Sequence, residues 1–144
     1  NSMKRFLFVT LLIVLALTAC APKAAEPAAS VLKVGDKTYT PDALKALGES
    51  QATFKDVTYV GVPMTTLLKD ACIDPSAVTI VKAVASDGFT VNYESALFSR
   101  EDTLVAYARV DGPLGEDEGS FRMVLPDQEG KLNPRMLVEI IAIP

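Results

Sequence analysis

The sequence predicts an α+β domain made of mixed β-sheets and short helices, and three observations support that class. The 144 residues are 49% hydrophobic and 22% charged, a composition typical of a chain that folds around a core. Many short apolar segments are bounded by turn residues, as strands are. Short helical segments lie between them without the regular alternation of strand and helix that a parallel α/β fold requires.

The elements can be assigned in order along residues 31–144. Thr40-Pro41-Asp42 supplies an N-cap, a proline at the first helical position and an early acid, so a short helix should begin there and end by Gly48. Pro63 should open a second helix. Residues 113–119 (PLGEDEG) are acidic and glycine-rich, which predicts an exposed loop. The remaining apolar segments predict strands over 31–34, 37–40, 52–60, 78–85, 89–93, 104–110, 121–125 and 136–143.

Composition excludes several functional classes. With 14 basic and 18 acidic residues the net charge is −4, so we expect no nucleic-acid partner, because that would need a clustered basic face. The absence of histidine excludes His general bases, Ser-His-Asp systems and His-ligated metals. Two cysteines are too few for a disulfide scaffold. Carboxylates are scattered without metal-ligand spacing, so we assign no metal site and no catalytic residue.

The first thirty residues predict export and a lipid anchor. Asn1 and Ser2 precede Met3, at which we start the natural chain, and residues 1–19 form the predicted signal peptide. After a basic start, its apolar run is shorter than a membrane-spanning helix. The last residues, Leu17-Thr18-Ala19-Cys20, resemble the lipobox of bacterial lipoproteins. This resemblance implies that Cys20 is acylated. The alanine- and proline-rich composition of residues 20–30 predicts a short tether.

Cleavage before Cys20 would also change the charge balance of the protein. Loss of Lys4 and Arg5 lowers the basic count from 14 to 12 against 18 acidic residues, which gives a net charge of −6. Anionic lipid heads repel such a protein, so the anchor must hold it to the membrane unaided. We therefore expect a protein of the cell membrane or outer membrane that faces the periplasm or the exterior.

Four stretches of the folded region lie in a recognisable order. Together they resemble motifs of the molybdopterin-binding domain of sulfite oxidase-type oxidoreductases, and this resemblance implies that mixed-sheet fold. The stretches are Tyr59-Val60-Gly61-Val62-Pro63 followed by Leu67-Leu68, then Ala85-Ser86-Asp87-Gly88-Phe89, then Leu104-Val105-Ala106-Tyr107 through Asp111-Gly112-Pro113-Leu114, and last Phe121-Arg122-Met123-Val124-Leu125-Pro126.

The chain departs from the family's pattern at its cofactor residues. In the family, a cysteine upstream of the first motif binds molybdenum, yet no cysteine lies between Gly48 and Tyr59. The family's His-Gly-x-Pro-x-Arg run, which contacts the pterin or its phosphate, corresponds to residues 118–122, where Glu118 takes the histidine position. Cys72 lies after the first motif, and we expect a small buried apolar side chain there, with a reactive thiol or an intermolecular disulfide as the alternative.

The leading prediction is therefore a binding or accessory module without cofactor, rather than an enzyme. Its partners would be a small anionic ligand or a protein. The alternatives are a molybdopterin-dependent oxidoreductase or a subunit of one, and an assembly protein whose acidic loop docks onto a basic partner. The candidate cleft residues are Arg122, Tyr59, Asp87, Phe89 and Tyr93. Each has a structural alternative: Arg122 could pair with Glu116, Asp117 or Glu118, Asp87 could serve the turn, and the aromatic rings could be core.

Overall fold

Ten strands form two five-stranded sheets in the computed structural model, which describes residues 30–144. The signal peptide and most of the predicted tether lie outside the described residues. The strands are β1 (Leu32–Val34), β2 (Lys37–Tyr39), β3 (Ser50–Phe54), β4 (Val57–Pro63), β5 (Ile80–Ala85), β6 (Thr90–Glu94), β7 (Leu104–Arg109), β8 (Gly112–Pro113), β9 (Arg122–Val124) and β10 (Leu137–Ile143). The helices are α1 (Pro41–Lys45), α2 (Met64–Asp70) and α3 (Ser95–Phe98), with 3₁₀ turns at Pro75–Ala77, Glu116–Glu118 and Gly130–Leu132.

The two sheets differ in their pairing. The first has the order β2-β1-β10-β5-β6 and is mixed, because β1 runs parallel to β10 while the other pairs are antiparallel. The second is antiparallel, with the order β3-β4-β7, and β7 also pairs with β8 and β9. Mixed sheets with a few short helices confirm the predicted α+β class.

Apolar side chains collect on both faces of the second sheet. The main core lies between the two sheets and includes Val62, Val105 and Met123 from the second sheet, together with side chains of the first sheet and the helices. A smaller cluster on the opposite face includes Tyr59 and Val124. Successive residues of a strand point to opposite faces, so β9 sends Met123 to the main core and Arg122 and Val124 to the smaller cluster.

The predicted single strand over 52–60 is wrong, because the segment is a hairpin. Lys55 and Asp56 separate β3 from β4 and adopt positive φ angles of 48° and 65°. A two-residue turn between antiparallel strands needs such left-handed backbone, which Asn-Gly or Asp-Gly pairs usually supply. Lys-Asp is not such a pair, so its residue types did not indicate the turn.

Cys72 is exposed, so the expectation of a buried filler is wrong. It follows Ala71, the cap residue of α2, and has a φ of 62°; its backbone N–H donates to the carbonyl of Lys69 at 3.0 Å. The next N–H, that of Ile73, donates to the carbonyl of Leu68 at 2.9 Å. These bonds form the left-handed cap that commonly ends helices, and they turn the Cys72 side chain outward.

A bulge in the second sheet decides which side chains reach its outer face. Gly61 pairs with Ala106 but Val60 pairs with Ala108, so Tyr107 is an extra residue in β7. Simple alternation would place Arg109 on the core side, with Val105 and Tyr107. The bulge reverses this, and Arg109 lies opposite Tyr59 on the outer face.

No helix in the described region, residues 30–144, has the length and apolar character needed to cross a bilayer.

Candidate functional site

A buried carboxylate lies at the centre of the outer face of the second sheet. Glu118 is only 2% exposed, so the prediction of an exposed loop over 113–119 is wrong at this residue. Its Oε2 accepts hydrogen bonds from the Tyr59 hydroxyl at 2.7 Å and from Arg122 Nη1 at 2.6 Å. Its Oε1 accepts from Arg109 Nε at 2.8 Å, from Arg109 Nη2 and from the Gly115 N–H at 3.0 Å. The carboxylate is therefore held by two guanidinium groups, a phenol and a backbone amide.

The local backbone directs Glu118 inward while its acidic neighbours face solvent. Glu118 closes a 3₁₀ turn in which its N–H donates to the Gly115 carbonyl at 2.9 Å. Its own carbonyl accepts from the Met136 N–H at 2.8 Å, which ties the turn to the start of β10. Glu116 and Asp117 are exposed. The position of Glu118 in the turn therefore buries this acid and leaves the other two exposed.

Arg122 is 5% exposed and donates four hydrogen bonds. Besides Glu118, its Nη1 donates to the Tyr59 hydroxyl at 3.0 Å, its Nε to the Met123 carbonyl at 3.2 Å and its Nη2 to the Asn133 carbonyl at 3.3 Å. Its guanidinium carbon lies 4.7 Å from the centre of the Tyr59 ring and 5.6 Å from that of Phe54. These distances are within the range of cation–π attraction.

Glu118, Arg109, Arg122 and Tyr59 form the Glu118 cluster, and their hydrogen bonds set its protonation states. Burial raises the pKa of Glu118, but the bonds from Tyr59, Gly115, Arg122 and Arg109 outweigh it and lower that pKa to about 2. Burial, and next the bond to Glu118, raise the pKa of the Tyr59 hydroxyl. The hydrogen bond to Glu118 raises the pKa of Arg109. At neutral pH the cluster holds one carboxylate, two guanidinium ions and a neutral phenol, so its net charge is positive.

This cluster predicts a loss of stability in acid. The pKa of Glu118 falls from an ordinary value of 4.5 to about 2 on folding, so the ionised group stabilises the fold above about pH 4.5 and this contribution disappears as the pH falls toward 2. We expect the difference in unfolding free energy between the wild type and Glu118→Gln to shrink over that interval. Urea unfolding of both proteins from pH 7 to pH 3 measures it, and a constant difference would contradict the assignment.

The structure brings four of the five predicted cleft residues to one region. Tyr59 and Arg122 line a cavity of about 400 Å³ beside the Glu118 cluster. Asp87 and Phe89 line a neighbouring cavity of about 380 Å³. The two cavities share Gly130, Asn133 and Arg135 as lining residues, so they adjoin. Asp87 also serves its turn, because its Oδ1 accepts the Phe89 N–H at 3.0 Å.

Tyr93 is not at the cleft. It lies in β6 of the first sheet with no exposed surface, and its hydroxyl donates to the Leu132 carbonyl at 2.6 Å. Its place among the cleft residues is therefore corrected to the main core. Val91 and Tyr93 are buried, while the residues beside them in β6 are exposed. This alternation along the strand was the signal in the sequence for the burial of Tyr93.

Sequence reasoning missed four residues of this region. The bulge in β7 turns Arg109 to the outer face, and the hairpin turn brings Lys55 to the cleft; the sequence predicted neither the bulge nor the turn. Asn133 is 3% exposed and binds the backbone of Leu125 through both ends of its amide, at 2.5 Å and 3.3 Å. Arg135 lines the cleft and pairs with Asp117 at 2.9 Å. The last two follow the motif strand β9 in a segment without periodicity, so nothing local marked them.

The cleft residues do not match the donor set that the family resemblance implies for molybdopterin. None of the residues that line the two cavities is a cysteine. Cys72 lies at the end of α2, where its neighbours Tyr39 and Asp70 belong to a separate hydrogen-bonded group. The Arg122 guanidinium, which the resemblance would offer to an anionic cofactor, already binds the Glu118 carboxylate. Across residues 30–144, no group of three or more Cys, Asp or Glu side chains is placed to hold a metal ion.

Comparisons with known proteins identify the family. The family model described as the oxidoreductase molybdopterin binding domain matches residues 26–144. No curated protein matches the chain. Among solved structures, the sulfane dehydrogenase SoxCD from Paracoccus pantotrophus has a similar fold, with a TM-score of 0.68 and 16% sequence identity over 83% of this chain.

The match to SoxCD covers 40% of that protein's chain, so the present chain spans less than half of its length. At this identity the likeness shows the fold. The family model covers most of the sequence, including all ten strands, and the two-sheet architecture agrees with it. The chain belongs to the oxidoreductase molybdopterin-binding domain family.

Proposed function

We propose that this chain is a membrane-anchored extracytoplasmic lipoprotein whose domain works without molybdopterin, as a binding or accessory module. The observation that carries the proposal is the Glu118 carboxylate on Arg122 and Arg109. An anionic cofactor that took these two arginines as its partners would have to displace the carboxylate that the chain itself supplies. Displacing Glu118 would leave a buried charge without its partners, which is costly.

The chemistry of the cleft supports the same proposal. A molybdenum centre of this family is held by a thiolate, and no cysteine lies among the cleft residues. At the cleft, the hairpin between β3 and β4 presents Phe54 and Lys55. The ammonium group can bind an anion, and the aromatic ring can pack against an apolar group. Neither of them is a metal ligand.

The anchoring half of the proposal rests on the sequence. Leu17-Thr18-Ala19-Cys20 ends a short apolar run with a basic start, and acylation of Cys20 would hold the acidic mature protein at a membrane. The signal has Lys4-Arg5 and not a twin arginine, which suits export of an unfolded chain. A chain exported unfolded carries no buried pterin with it.

Elemental analysis for molybdenum, with a pterin assay, tests the proposal on mature protein recovered from the membrane fraction after export. We expect neither molybdenum nor pterin, and we expect Cys20→Ser to move the protein out of the membrane fraction. Molybdenum near one atom per chain would overturn the cofactor-free function and establish a working oxidoreductase domain. Membrane recovery of a Cys20→Ser protein from which residues 1–19 have been cleaved would overturn the lipid anchor.

A further inference from the structure

The cleft beside Arg122 is lined by cations and apolar groups. Its cations are Lys55, Arg122 and Arg135, and no carboxylate is among its lining residues. Phe54, Val57 and Tyr59 form the apolar wall. The volume of about 400 Å³ is in the range of small-molecule sites. In a chain with a net charge of −4, this is a locally basic concavity.

The three cations are not equally available. The buried carboxylate of Glu118 neutralises the charge of Arg122, and Asp117 forms an ion pair with Arg135 at 2.9 Å. Within the described residues, Lys55 takes part in no salt bridge and no hydrogen bond; its Nζ lies 5.3 Å from the centre of the Phe54 ring. The same Nζ would be 3.5 Å from a Cβ placed on Gly130, so Lys55 reaches toward the opposite rim. Lys55 is therefore the cation that an incoming anion meets unneutralised.

Arg122 retains one donor of its own. A guanidinium has five N–H hydrogens, and four of those of Arg122 are used on Met123, Tyr59, Glu118 and Asn133. The remaining hydrogen is on Nη2. The side-chain amide of Asn133 lines the cleft, and both N–H hydrogens of its Nδ2 are donated to the backbone carbonyls of Leu125 and Glu129.

The backbone at Lys55 is also unusual. Lys55 and Asp56 both have left-handed φ angles, which are unfavourable for residues with a Cβ. Pairing of β3 with β4 imposes this backbone, as a two-residue hairpin turn requires. Here the conformation places the ammonium group at the mouth of the cleft.

We propose that the cleft binds a small carboxylate carried on a flat apolar body, with Lys55 and the free Nη2 hydrogen of Arg122 as its anion contacts. The apolar body packs against Phe54 and Val57. The inference rests on the proposed cofactor-free function, because a pterin in the same space would exclude the ligand. It adds to that function the class of ligand and the residue that selects it.

Titration of the full chain, purified after export in a mild detergent, tests the proposal with benzoate as the probe. Amide chemical shifts report both the affinity and the place of binding. We expect benzoate to shift the amides of residues 54–57, 130–133 and 135, and we expect neutral benzamide and small acetate to bind at least about tenfold more weakly. Lys55→Gln should weaken benzoate binding about fivefold, in the range of a partly exposed ion pair. Lys69→Gln, at an exposed lysine on α2, is the matched control and should leave binding unchanged.

Several results would overturn the ligand class. Benzamide binding as tightly as benzoate would remove the role of charge, and an unchanged affinity in Lys55→Gln would remove the role of that lysine. Shifts confined to other surfaces would place the site elsewhere. These failures are distinguishable from failure of the proposed function, because that failure appears as molybdenum in the purified protein, whatever benzoate does.

Discussion

Replacing Glu118 by alanine should destabilise the domain by about 3–5 kcal/mol, the range found when one partner of a buried ion pair is removed. The reason is that Arg122 is 5% exposed and Arg109 is held against the same carboxylate, so two guanidinium groups lose their counter-ion at once. Small domains are stable by only about 5–15 kcal/mol. The change therefore removes a large fraction of the total, and urea unfolding at pH 7 measures it.

A control within the same turn separates charge from loop shape. Glu116 is exposed and belongs to no ion pair within the described residues, so Glu116→Ala should change stability by less than about 0.5 kcal/mol. The double variant Glu118→Ala, Arg122→Ala should lose less than the sum of the two single variants, because the second change removes a charge that the first left unpaired. Equal costs for Glu116→Ala and Glu118→Ala would contradict the buried pair.

Gly61→Ala should be the most damaging glycine substitution among those of the second sheet, with a cost of about 3 kcal/mol or more. A Cβ on Gly61 would stand 2.3 Å from the Val105 carbonyl oxygen and 2.7 Å from the Ala106 Cα. Both are backbone atoms of the paired strand β7, so no side chain can turn aside to make room. The strands must separate at the bulge, which also moves Arg109 away from Glu118.

Thermal and urea unfolding of Gly61→Ala measure this cost, with Gly130→Ala as the control. A Cβ on Gly130 would meet only the Lys55 Nζ, at 3.5 Å, which is ordinary contact with a flexible side chain. We expect that variant to stay within about 1 kcal/mol of the wild type. Wild-type stability in Gly61→Ala would show that the two strands are less closely apposed than described.

Two residues of the family-like motifs have structural roles in this chain. The fold is shared with an oxidoreductase domain, and the motif glycine at 61 is explained by strand packing alone. Arg122 is likewise explained by its internal partners before any ligand is considered. Residues that resemble a cofactor signature can therefore be required by the packing of the fold itself, because fold and chemistry are separate properties of a domain.

Local sequence patterns predicted much of the fold because they act over a few residues. Thr40 caps α1 through its Oγ1, which accepts the Ala43 N–H at 3.1 Å, and Pro41 starts the helix. The strand β6 follows the Asp87-Gly88 turn, as the alternation of buried residues indicated. The hairpin at Lys55-Asp56 was missed, because its left-handed backbone is imposed by pairing of β3 with β4 and not by the residue types.

The sequence by itself determined the fold class and most of the strands, because these depend on periodicity, capping and motif order. Only the tertiary structure decided which of the three acids at 116–118 is buried and which arginines it binds. Those choices depend on a bulge that turns Arg109 to the outer face and on a 3₁₀ turn tied to β10. Both arise from contacts between distant segments, and no local pattern contains them.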